Sequence, residues 1–459
     1  MNSTNLLEID LQLAEAAWRK QTELLRSLSQ TLGHYFRNWQ SLFEPVTDWR
    51  QPNMITYPLA SVLTTGVLMH LFRLTARRAI NFKLRQNGPS QAKFAGWFAV
   101  ATLPHGDTLN YVFRGLAVRE VQQVVCRMVA TLIRKKVLDR WRLFGHFLVA
   151  IDGTGVLSFR ERHCPACLTR NLKNGTTVYY HPVLEAKLVT ANGLALSLMT
   201  EFIENPRQPQ QKQDCELKAF YRLITRLKAQ FPRLPLCLLL DGLYAGGPTF
   251  QRCEAHAWRY LIVLTATDLP QVQASLAFLE AQGVSQVKQT PGGPTNSTQT
   301  FQWWTALTYR DSHATQHTFH VIRCQETSPA GQTSTWQWLT NYFPTQHNVA
   351  PLANQGGRLR WKIENEGFNV QKNGGYALEH PFSHDENASK VFYLLLQMAH
   401  LLFQLLQKGS LLRQAGPHDF GSAQDLAFKL LEAWRNVPLT AAGFRRLAQG
   451  RVQIRLVDT

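Results

Sequence analysis

The stretch His146–Gly155, HFLVAIDGTG, contains an apolar run that ends in a carboxylate followed by Gly-Thr-Gly. An apolar run of this length, bounded by glycines, is typical of a buried strand rather than a helix. Placing the charge of Asp152 at the tip of such a strand is costly unless a hydrogen bond or a metal ion offsets the lost hydration. We therefore predict that Asp152 is one of several metal-binding carboxylates.

Composition points to a polyanionic partner. The chain has 459 residues, with 49 Lys and Arg against 31 Asp and Glu, so its formal net charge is +18. Nucleic acid is the first candidate for such a charge, and the alternative is a basic protein without a polyanionic ligand. Seven cysteines without disulfide-framework spacing, and an N-terminus without a signal peptide, favour a cytoplasmic protein. The apolar stretches Met54–Phe72 and Val391–Leu406 are short for membrane spans, so we predict core helices and no membrane association.

Residues 1–143 are predicted to form a helical DNA-binding domain. Leu6–Leu32 carries apolar residues at helical spacing, and basic residues cluster at two later places. A basic helical domain suits the recognition of DNA ends, although a single Arg or Lys on a helix is more often simply solvated. The residues predicted to contact DNA in this region are Arg77, Arg78, Lys135 and Lys136.

From residue 144 the pattern changes to strands separated by helices. Val178–Thr190 and Leu194–Phe202 predict a hairpin, and Leu236–Leu240 predicts another buried strand that ends in Asp241. Three antiparallel strands followed by helix, strand, helix and strand is the order of a ribonuclease-H-like domain. We therefore predict an α/β (α+β) fold in which Asp152 and Asp241 lie side by side. Two adjacent carboxylates stay ionised only if a cation neutralises them.

Residues 266–350 contain further strand-like runs and are predicted to be a β-rich insertion within the catalytic domain. Tryptophans in these runs can stack on an unpaired base, with Trp304 as the candidate, but such residues are more often half-buried in a sheet. The predicted organisation is a helical domain (1–143), a ribonuclease-H-like catalytic domain (144–265 and 351–410), the insertion (266–350) and a helical tail (411–459).

The segment Arg358–Asn373, RLRWKIENEGFNVQKN, offers two candidates for a third acid, Glu364 and Glu366. On a regular α-helix they point about 200° apart, because each residue turns the helix by about 100°. Glu364 then shares the arc of the packing residues, near Arg360, whereas Glu366 lies on the solvated face. A carboxylate among packing residues needs a partner, so we predict that Glu364 is the third acid.

These motifs occur in a fixed order: Asp-Gly-Thr after the first strand, Asp-Gly-Leu-Tyr after the fourth, the β-rich insertion, and Arg-Trp-Lys-Ile-Glu on a helix. In this order they resemble the DDE-type transposases of bacterial insertion sequences. The similarity is to the cut-and-paste group that has an insertion domain and the signature Tyr-x2-Arg-x3-Glu-x6-Lys, and it covers residues 145–400. Two positions depart from that signature: Gly357 replaces the tyrosine and Gln371 the lysine, with Lys372 one place later.

The resemblance implies an enzyme that cleaves the ends of a DNA element and joins the freed 3′-hydroxyl groups to target DNA. Its metal ligands would be Asp152, Asp241 and Glu364, holding a pair of Mg²⁺ ions that Mn²⁺ can replace. The implied partners are double-stranded DNA, as terminal inverted repeats and as target, and a second copy of the chain on that DNA, in the bacterial cytoplasm at the nucleoid. The residues implied to contact DNA near the cleaved end are Arg360, Lys372 and Tyr244.

Two other functions remain open at this point. One is a ribonuclease-H-like nuclease that cuts without strand transfer. The other is a domesticated DNA-binding protein that keeps the fold but not the chemistry, although the intact set of acids argues against it. A strand-transfer assay separates the first from a transposase, and a nicking assay separates the second.

Zinc is a further possibility that the sequence does not favour. His163-Cys164-Pro165-Ala166-Cys167 has knuckle spacing, and Cys253 and His256 could complete a Cys₃His site. Because these two halves are far apart in the sequence, we predict reduced thiols without bound zinc.

Overall fold

Helices fill the first third of the chain in the computed structural model, which describes residues 3–206, 212–290, 297–414, 420–449 and 452–457. The α-helices in this part are α1 (Ser3–Tyr35), α2 (Leu59–Leu71), α3 (Arg77–Ile80), α4 (Gly88–Phe98), α5 (Gly106–Arg114) and α6 (Val118–Arg134). α2 is buried along almost its whole length because its sequence, LASVLTTGVLMHL, is apolar or small on every face. The predicted core helix at Met54–Phe72 is therefore confirmed.

The predicted first strand is the beginning of β1 (Phe147–Phe159), and its apolar run Phe147–Ile151 is buried throughout. The predicted hairpin and the second apolar strand are also present. The elements that follow β1 are β2 (Leu168–Asn171), β3 (Thr177–Val189), β4 (Ala195–Phe202), α7 (Glu216–Gln230), β5 (Leu236–Leu240), α8 (Gly247–Ala255) and β6 (Arg259–Val263).

The order of these strands brings the two predicted aspartates to one edge of the sheet. β3 pairs antiparallel with β1 and β4, whereas β5 runs parallel to β1 and β6 parallel to β5. The spatial order is therefore β4-β3-β1-β5-β6, with β2 on the far end of β3. In the β1–β5 ladder Ala150 lies opposite Leu239. Asp152 and Asp241 each follow this pair by two residues, so both lie where the neighbouring parallel strands leave their ladder.

The insertion extends the same sheet. Its elements are α9 (Pro270–Ala281), β7 (Gln286–Thr290), β8 (Thr298–Arg310), β9 (Gln316–Thr327) and β10 (Thr333–Thr340). β10 pairs antiparallel with β6, and β9, β8 and β7 follow in that order, giving ten strands in one mixed sheet among the described residues. The β-rich character predicted for this region is confirmed, and its strands are continuous with those that carry the aspartates.

The segment after the insertion is less regular than the sequence predicted. A short α10 (Val349–Pro351) leads into π and 3₁₀ turns across Leu352–Asn369 and then into α11 (Val370–Asn373). In the described part of the C-terminal region four further helices follow, α12 (Glu386–Gln407), α13 (Ser410–Gln414), α14 (Ala423–Asn436) and α15 (Ala441–Gln449). The acids of this segment therefore do not sit on the regular α-helix that the sequence analysis assumed.

The predicted core helix near the C-terminus is α12. It is long and apolar enough to cross a membrane, but 89% of its apolar window is buried inside the protein. It packs closely against α2, where a Cβ added to Gly66 would lie 2.6 Å from Cδ1 of Leu395. One buried cluster contains residues of the N-terminal helices, the sheet and α12. The helical region and the sheet therefore share a hydrophobic core.

Candidate metal centre

The three predicted acids lie around one buried arginine. Nη1 of Arg360 is 3.6 Å from Oδ2 of Asp152, and its Nη2 is 2.9 Å from Oε1 of Glu364. Asp241 lies close enough for the charges of Arg360 and Glu364 to shift its pKa, Arg360 lowering it and Glu364 raising it. The side chain of Arg360 is only 8% exposed, so these contacts are shielded from solvent.

The surroundings of Asp152 are unfavourable for a negative charge. From the described residues it accepts one hydrogen bond, from its neighbour, the Gly153 N–H, at 2.9 Å. Burial is the largest cause that raises the pKa of Asp152, and with Arg360 and the Gly153 N–H lowering it and the charges of Glu364 and Glu216 raising it, the net pKa is about 7. A desolvated carboxylate whose own protein partners do not fully offset its charge is suited to bind a cation.

Asp241 begins the 3₁₀ turn Gly242–Tyr244 and accepts a hydrogen bond from the Leu243 N–H at 2.9 Å. Burial raises the pKa of Asp241, with smaller increases from the charges of Asp268 and Glu364. Gly242 is required at this turn because an added Cβ would lie 2.2 Å from Oδ2 of Asp268. The turn thus holds Asp241 beside a further acid.

Glu216, the first residue of α7, is a fourth carboxylate that lies beside these three and outside the predicted set. Its Oε1 accepts a 2.6 Å hydrogen bond from the hydroxyl of Tyr244. Its Oε2 packs against Gly153, where an added Cβ would lie 2.5 Å away. Burial raises the pKa of Glu216, and the charge of Asp241 adds to the increase. In the sequence Glu216 looks like an ordinary acid at a helix N-terminus, and only the packing of α7 against β3 and β4 places it beside Gly153 and Asp152.

The reason given for preferring Glu364 over Glu366 is wrong. The two side chains are equally accessible, at 36% and 35% exposed, because the segment forms π and 3₁₀ turns rather than a regular helix. Their neighbours distinguish them instead. Glu364 joins Arg360 and the aspartates, whereas Glu366 pairs with Lys362 at 3.0 Å and faces Gly193.

Three predicted DNA contacts are buried in the structure: Arg360, described above, and Tyr244 and Trp304. Tyr244 is 1% exposed and holds Glu216, so it positions a carboxylate rather than presenting its ring to DNA. Trp304 is 3% exposed and packs in the sheet with the guanidinium of Arg323 over its ring, 4.9 Å from the centroid. Trp304 is therefore not available to stack on a base, and the more ordinary alternative, a buried sheet tryptophan, is correct.

Trp361 is the exposed aromatic residue beside the acids. It is 49% exposed and follows Arg360, whose guanidinium lies 4.5 Å from the centroid of its ring. Trp361 was not among the residues predicted to contact DNA. Its place directly after Arg360 in the Arg-Trp-Lys-Ile-Glu motif was the signal that could have identified it.

The two residues at the signature lysine position have different environments. Gln371 is fully buried and donates hydrogen bonds to Gln397 at 2.8 Å and to Nδ1 of His400 at 2.9 Å. Lys372 is 29% exposed and pairs with Glu379 at 2.8 Å. Gln371 thus belongs to the core, and Lys372 is engaged by an acid outside the Asp152 cluster.

The basic residues predicted on the N-terminal helices lie at the surface to different degrees. Arg78 and Lys136 are exposed. Arg77 is partly buried and lies 3.5 Å from Asp107. Lys135 is exposed along its stem, but its ammonium group donates to the backbone carbonyl of His34. Arg78 and Lys136 are therefore the more accessible of the four.

The cluster suits magnesium in the type of its donors. Carboxylate oxygens are the ligands that Mg²⁺ takes from proteins, and it retains several waters, so two or three acids are enough. The carboxylates around Arg360 do not bring three donor atoms within 4.8 Å of one another; among the described residues only Cys164, Cys167 and His181 do so. Among the described residues these acids therefore do not form a closed cage of three donor atoms.

The chain matches no protein-family model and no curated protein at a significant level. The fold and the site are therefore the basis for assigning a class.

Proposed function

We propose that this protein is a DNA transposase of the DDE type, and that Asp152, Asp241 and Glu364 are its metal ligands. The observation that carries the proposal is the meeting of two aspartates at the ends of neighbouring parallel strands with a glutamate from a segment about 120 residues further along the chain, all around Arg360. Packing alone gives no reason to gather partly buried acids in this way, because each added charge raises the cost of the others.

The strand order supports a ribonuclease-H-like core. The order β4-β3-β1-β5-β6 has three antiparallel strands followed by two parallel ones, with α7 and α8 as the connections. This is the order that the sequence predicted for such a domain. The insertion lies between β6 and the segment that carries Glu364, as in the family that the motifs resemble.

The proposed chemistry is hydrolysis of a phosphodiester followed by attack of the freed 3′-hydroxyl on target DNA. When bound, a pair of Mg²⁺ ions, for which Mn²⁺ can substitute, would activate the attacking oxygen and stabilise the leaving oxygen. Asp152, Asp241 and Glu364 would supply the protein oxygens. Glu216, held by Tyr244, would orient or share the cation beside Asp152.

Before DNA binds, Arg360 would act as the counter-ion of these acids. Its guanidinium neutralises part of the charge of Asp152 and Glu364, so both can remain close together without a cation. Contact with a DNA phosphate requires Arg360 to exchange at least one of these partners. The exposed ring of Trp361 beside it is the candidate to stack on a base near the cleaved strand.

The charge of the whole chain supports DNA as the partner. A net charge of +18 favours a polyanion, and the exposed Arg78 and Lys136 offer phosphate contacts away from the acids. We propose double-stranded DNA with terminal inverted repeats as substrate, a homodimer assembled on that DNA, and a bacterial cytoplasmic location at the nucleoid. A nuclease without strand transfer is the second candidate, because the acids alone suffice for cleavage.

The test is a cleavage and joining assay. A plasmid carrying the gene with its native flanking DNA is incubated with the full chain and Mg²⁺, and the strand ends are mapped. We expect cuts at the flanks and joining to a second plasmid, with both activities lost in Asp152→Asn and Asp241→Asn variants that still bind the DNA. Cutting without joining favours the nuclease, and binding without cutting favours the non-catalytic protein.

A further inference from the structure

A second cluster of residues with metal-ligand side chains lies where the loop between β1 and β2 meets β3. Sγ of Cys164 is 3.5 Å from Sγ of Cys167, and both sulfurs lie close to Nε2 of His181, at 3.3 and 3.2 Å respectively. All three donor atoms lie within 4.8 Å of one another. His181 comes from β3, so the loop and the strand meet at this point.

These spacings are near those of a tetrahedral zinc site. With Zn–S near 2.3 Å and Zn–N near 2.0–2.1 Å, tetrahedral angles place two sulfurs about 3.8 Å apart and a sulfur and a nitrogen about 3.6 Å apart. The observed separations are a few tenths of an ångström shorter, and small side-chain rotations open them. Three donors that converge on one point, two of them from a Cys-x-x-Cys turn, form the donor set that zinc prefers.

The backbone of the turn also donates a hydrogen bond to one of the two sulfurs. The N–H of Cys164 donates to Sγ of Cys167 at 3.3 Å, and the N–H of Cys167 closes the turn on the carbonyl of Cys164. The side chain of Asn205 in turn fixes the carbonyl of Cys167 at 2.7 Å. A hydrogen bond from a backbone amide to sulfur supports negative charge there, which a metal-binding cysteine carries.

A fourth ligand is close at hand. Glu386, the first residue of α12, lies near Cys164 and lines the same cleft as His181. Lys390, one turn later, pairs with Glu204 at 2.6 Å, and both lie in the same cleft as His181 and Glu386. Two thiolates, a neutral imidazole and one carboxylate around Zn²⁺ leave one negative charge, which Lys390 lies close enough to offset.

We propose that Cys164, Cys167 and His181 bind a structural zinc ion, with Glu386 as the fourth ligand. Binding releases the two thiol protons to solvent and fastens the β1–β2 loop to β3 and to the start of α12. The sequence does not favour zinc when Cys253 and His256 are taken as the second half of the site, because they lie far from the Cys-x-x-Cys turn. Cys253 is instead buried in α8, and the missing histidine is His181, which a motif search starting from the Cys-x-x-Cys turn would find 14 residues after Cys167.

Fastening this loop also positions a basic hairpin. β2 and β3 form a hairpin whose tip carries the exposed Arg170 and Lys173, and the loop before β2 carries the exposed Arg160 and Arg162. The zinc site lies at the base of this hairpin. Removing the metal should therefore free the loop without disturbing the sheet beneath it.

The test measures metal directly. The full chain is expressed in zinc-supplemented medium, purified without chelator and analysed by elemental mass spectrometry. We expect about one zinc per chain, loss of that zinc in the Cys164→Ser/Cys167→Ser double variant, and retention in Cys215→Ser, which changes an exposed cysteine outside the cluster. Replacing zinc by Co²⁺ in the wild-type protein should give the near-ultraviolet band of a thiolate–cobalt bond, a readout that does not depend on how the variants fold.

Limited trypsin digestion tests the structural role. We expect chelator to increase cleavage after Arg160 and Arg162 in the wild-type chain, and zinc to reverse the effect. Wild-type protein that contains no zinc and has free thiols would overturn the proposal, as would a mass lower by two hydrogens from a Cys164–Cys167 disulfide. Zinc that persists in the double variant would also overturn it.

Discussion

Two carboxylates that face each other across the β1–β3 ladder are satisfied to very different degrees. Asp152 lies opposite Glu185 in the register. Glu185 is completely buried, yet it accepts hydrogen bonds from the hydroxyls of Ser197, Thr200 and Tyr393 and lies 3.3 Å from Nζ of Lys187. Asp152 accepts the Gly153 N–H and has Arg360 at 3.6 Å.

The difference separates a structural acid from a candidate functional one. The protein supplies hydrogen-bond partners to both oxygens of Glu185, so this residue needs no external ligand to remain buried. Asp152 is desolvated, has other acids beside it and has few partners of its own, which is the condition that a bound cation relieves. Burial of an acid therefore does not identify a metal ligand; incomplete satisfaction near other acids does.

The same comparison applies to a second pair of acids, Glu364 and Glu366, and the largest expected effect is on the DNA cleavage rate of their variants. We expect Glu364→Gln to reduce Mg²⁺-dependent DNA cleavage by about 10³-fold, because it removes a charged oxygen from the cluster that would hold the cation. Glu366→Gln is the matched control, since it makes the same change at equal exposure outside the cluster, and its cleavage rate should stay within about threefold of the wild type. An inactive Glu366→Gln with an active Glu364→Gln would contradict the assignment of the third acid.

A large effect on stability is expected at the satisfied acid. Glu185→Ala leaves the ammonium of Lys187 buried without its ion-pair partner, so we expect the free energy of unfolding to fall by about 3 kcal/mol. Denaturant unfolding followed by circular dichroism measures this change. Glu366→Ala, at a partly exposed position, should change the free energy by no more than about 0.5 kcal/mol. Equal stability of the two variants would show that the Glu185 network is not structural.

A smaller change in stability, a gain rather than a loss, is expected when Asp152 is replaced and chelator is present. Because burial raises the pKa of Asp152 from 3.8 to about 7, ionisation of this residue weakens the folded state. Its contribution to stability is fully present below pH 3.8 and is lost as the pH rises through 7. Asn cannot ionise, so Asp152→Asn should be more stable than the wild type by about 2 kcal/mol at pH 8, and the difference should shrink toward pH 5.

Thermal unfolding in chelator at the two pH values checks this prediction. The Glu366→Gln variant serves as the control and should follow the wild type at both. A stability difference between Asp152→Asn and the wild type that does not change with pH would contradict the raised pKa of Asp152.

The sequence predicted the parts of the site that follow strands. Two apolar runs, Phe147–Ile151 and Leu236–Leu240, each predict a buried strand. Each run is followed directly by an aspartate, Asp152 or Asp241. Parallel pairing of β1 and β5 then places Asp152 and Asp241 at one edge. Local pattern and sheet geometry were enough for these two residues.

The other features depend on packing that local periodicity does not encode. Glu364 was chosen from the geometry of a regular α-helix, whereas the chain forms π and 3₁₀ turns there. Glu216 joins the cluster only through the contact of α7 with Gly153. Trp304 is buried because the insertion extends the main sheet, and exposed tryptophans cannot be told from buried ones by strand pattern alone.

The most direct test of the proposed metal centre is binding of Mn²⁺, a paramagnetic substitute for Mg²⁺, measured by electron paramagnetic resonance on DNA-free protein. We predict that the wild-type chain binds Mn²⁺, that the Asp152→Asn/Asp241→Asn double variant loses this binding while remaining folded, and that Glu366→Gln keeps it. Unchanged Mn²⁺ binding by the double variant would contradict the claim that these two strand-end aspartates form a metal site.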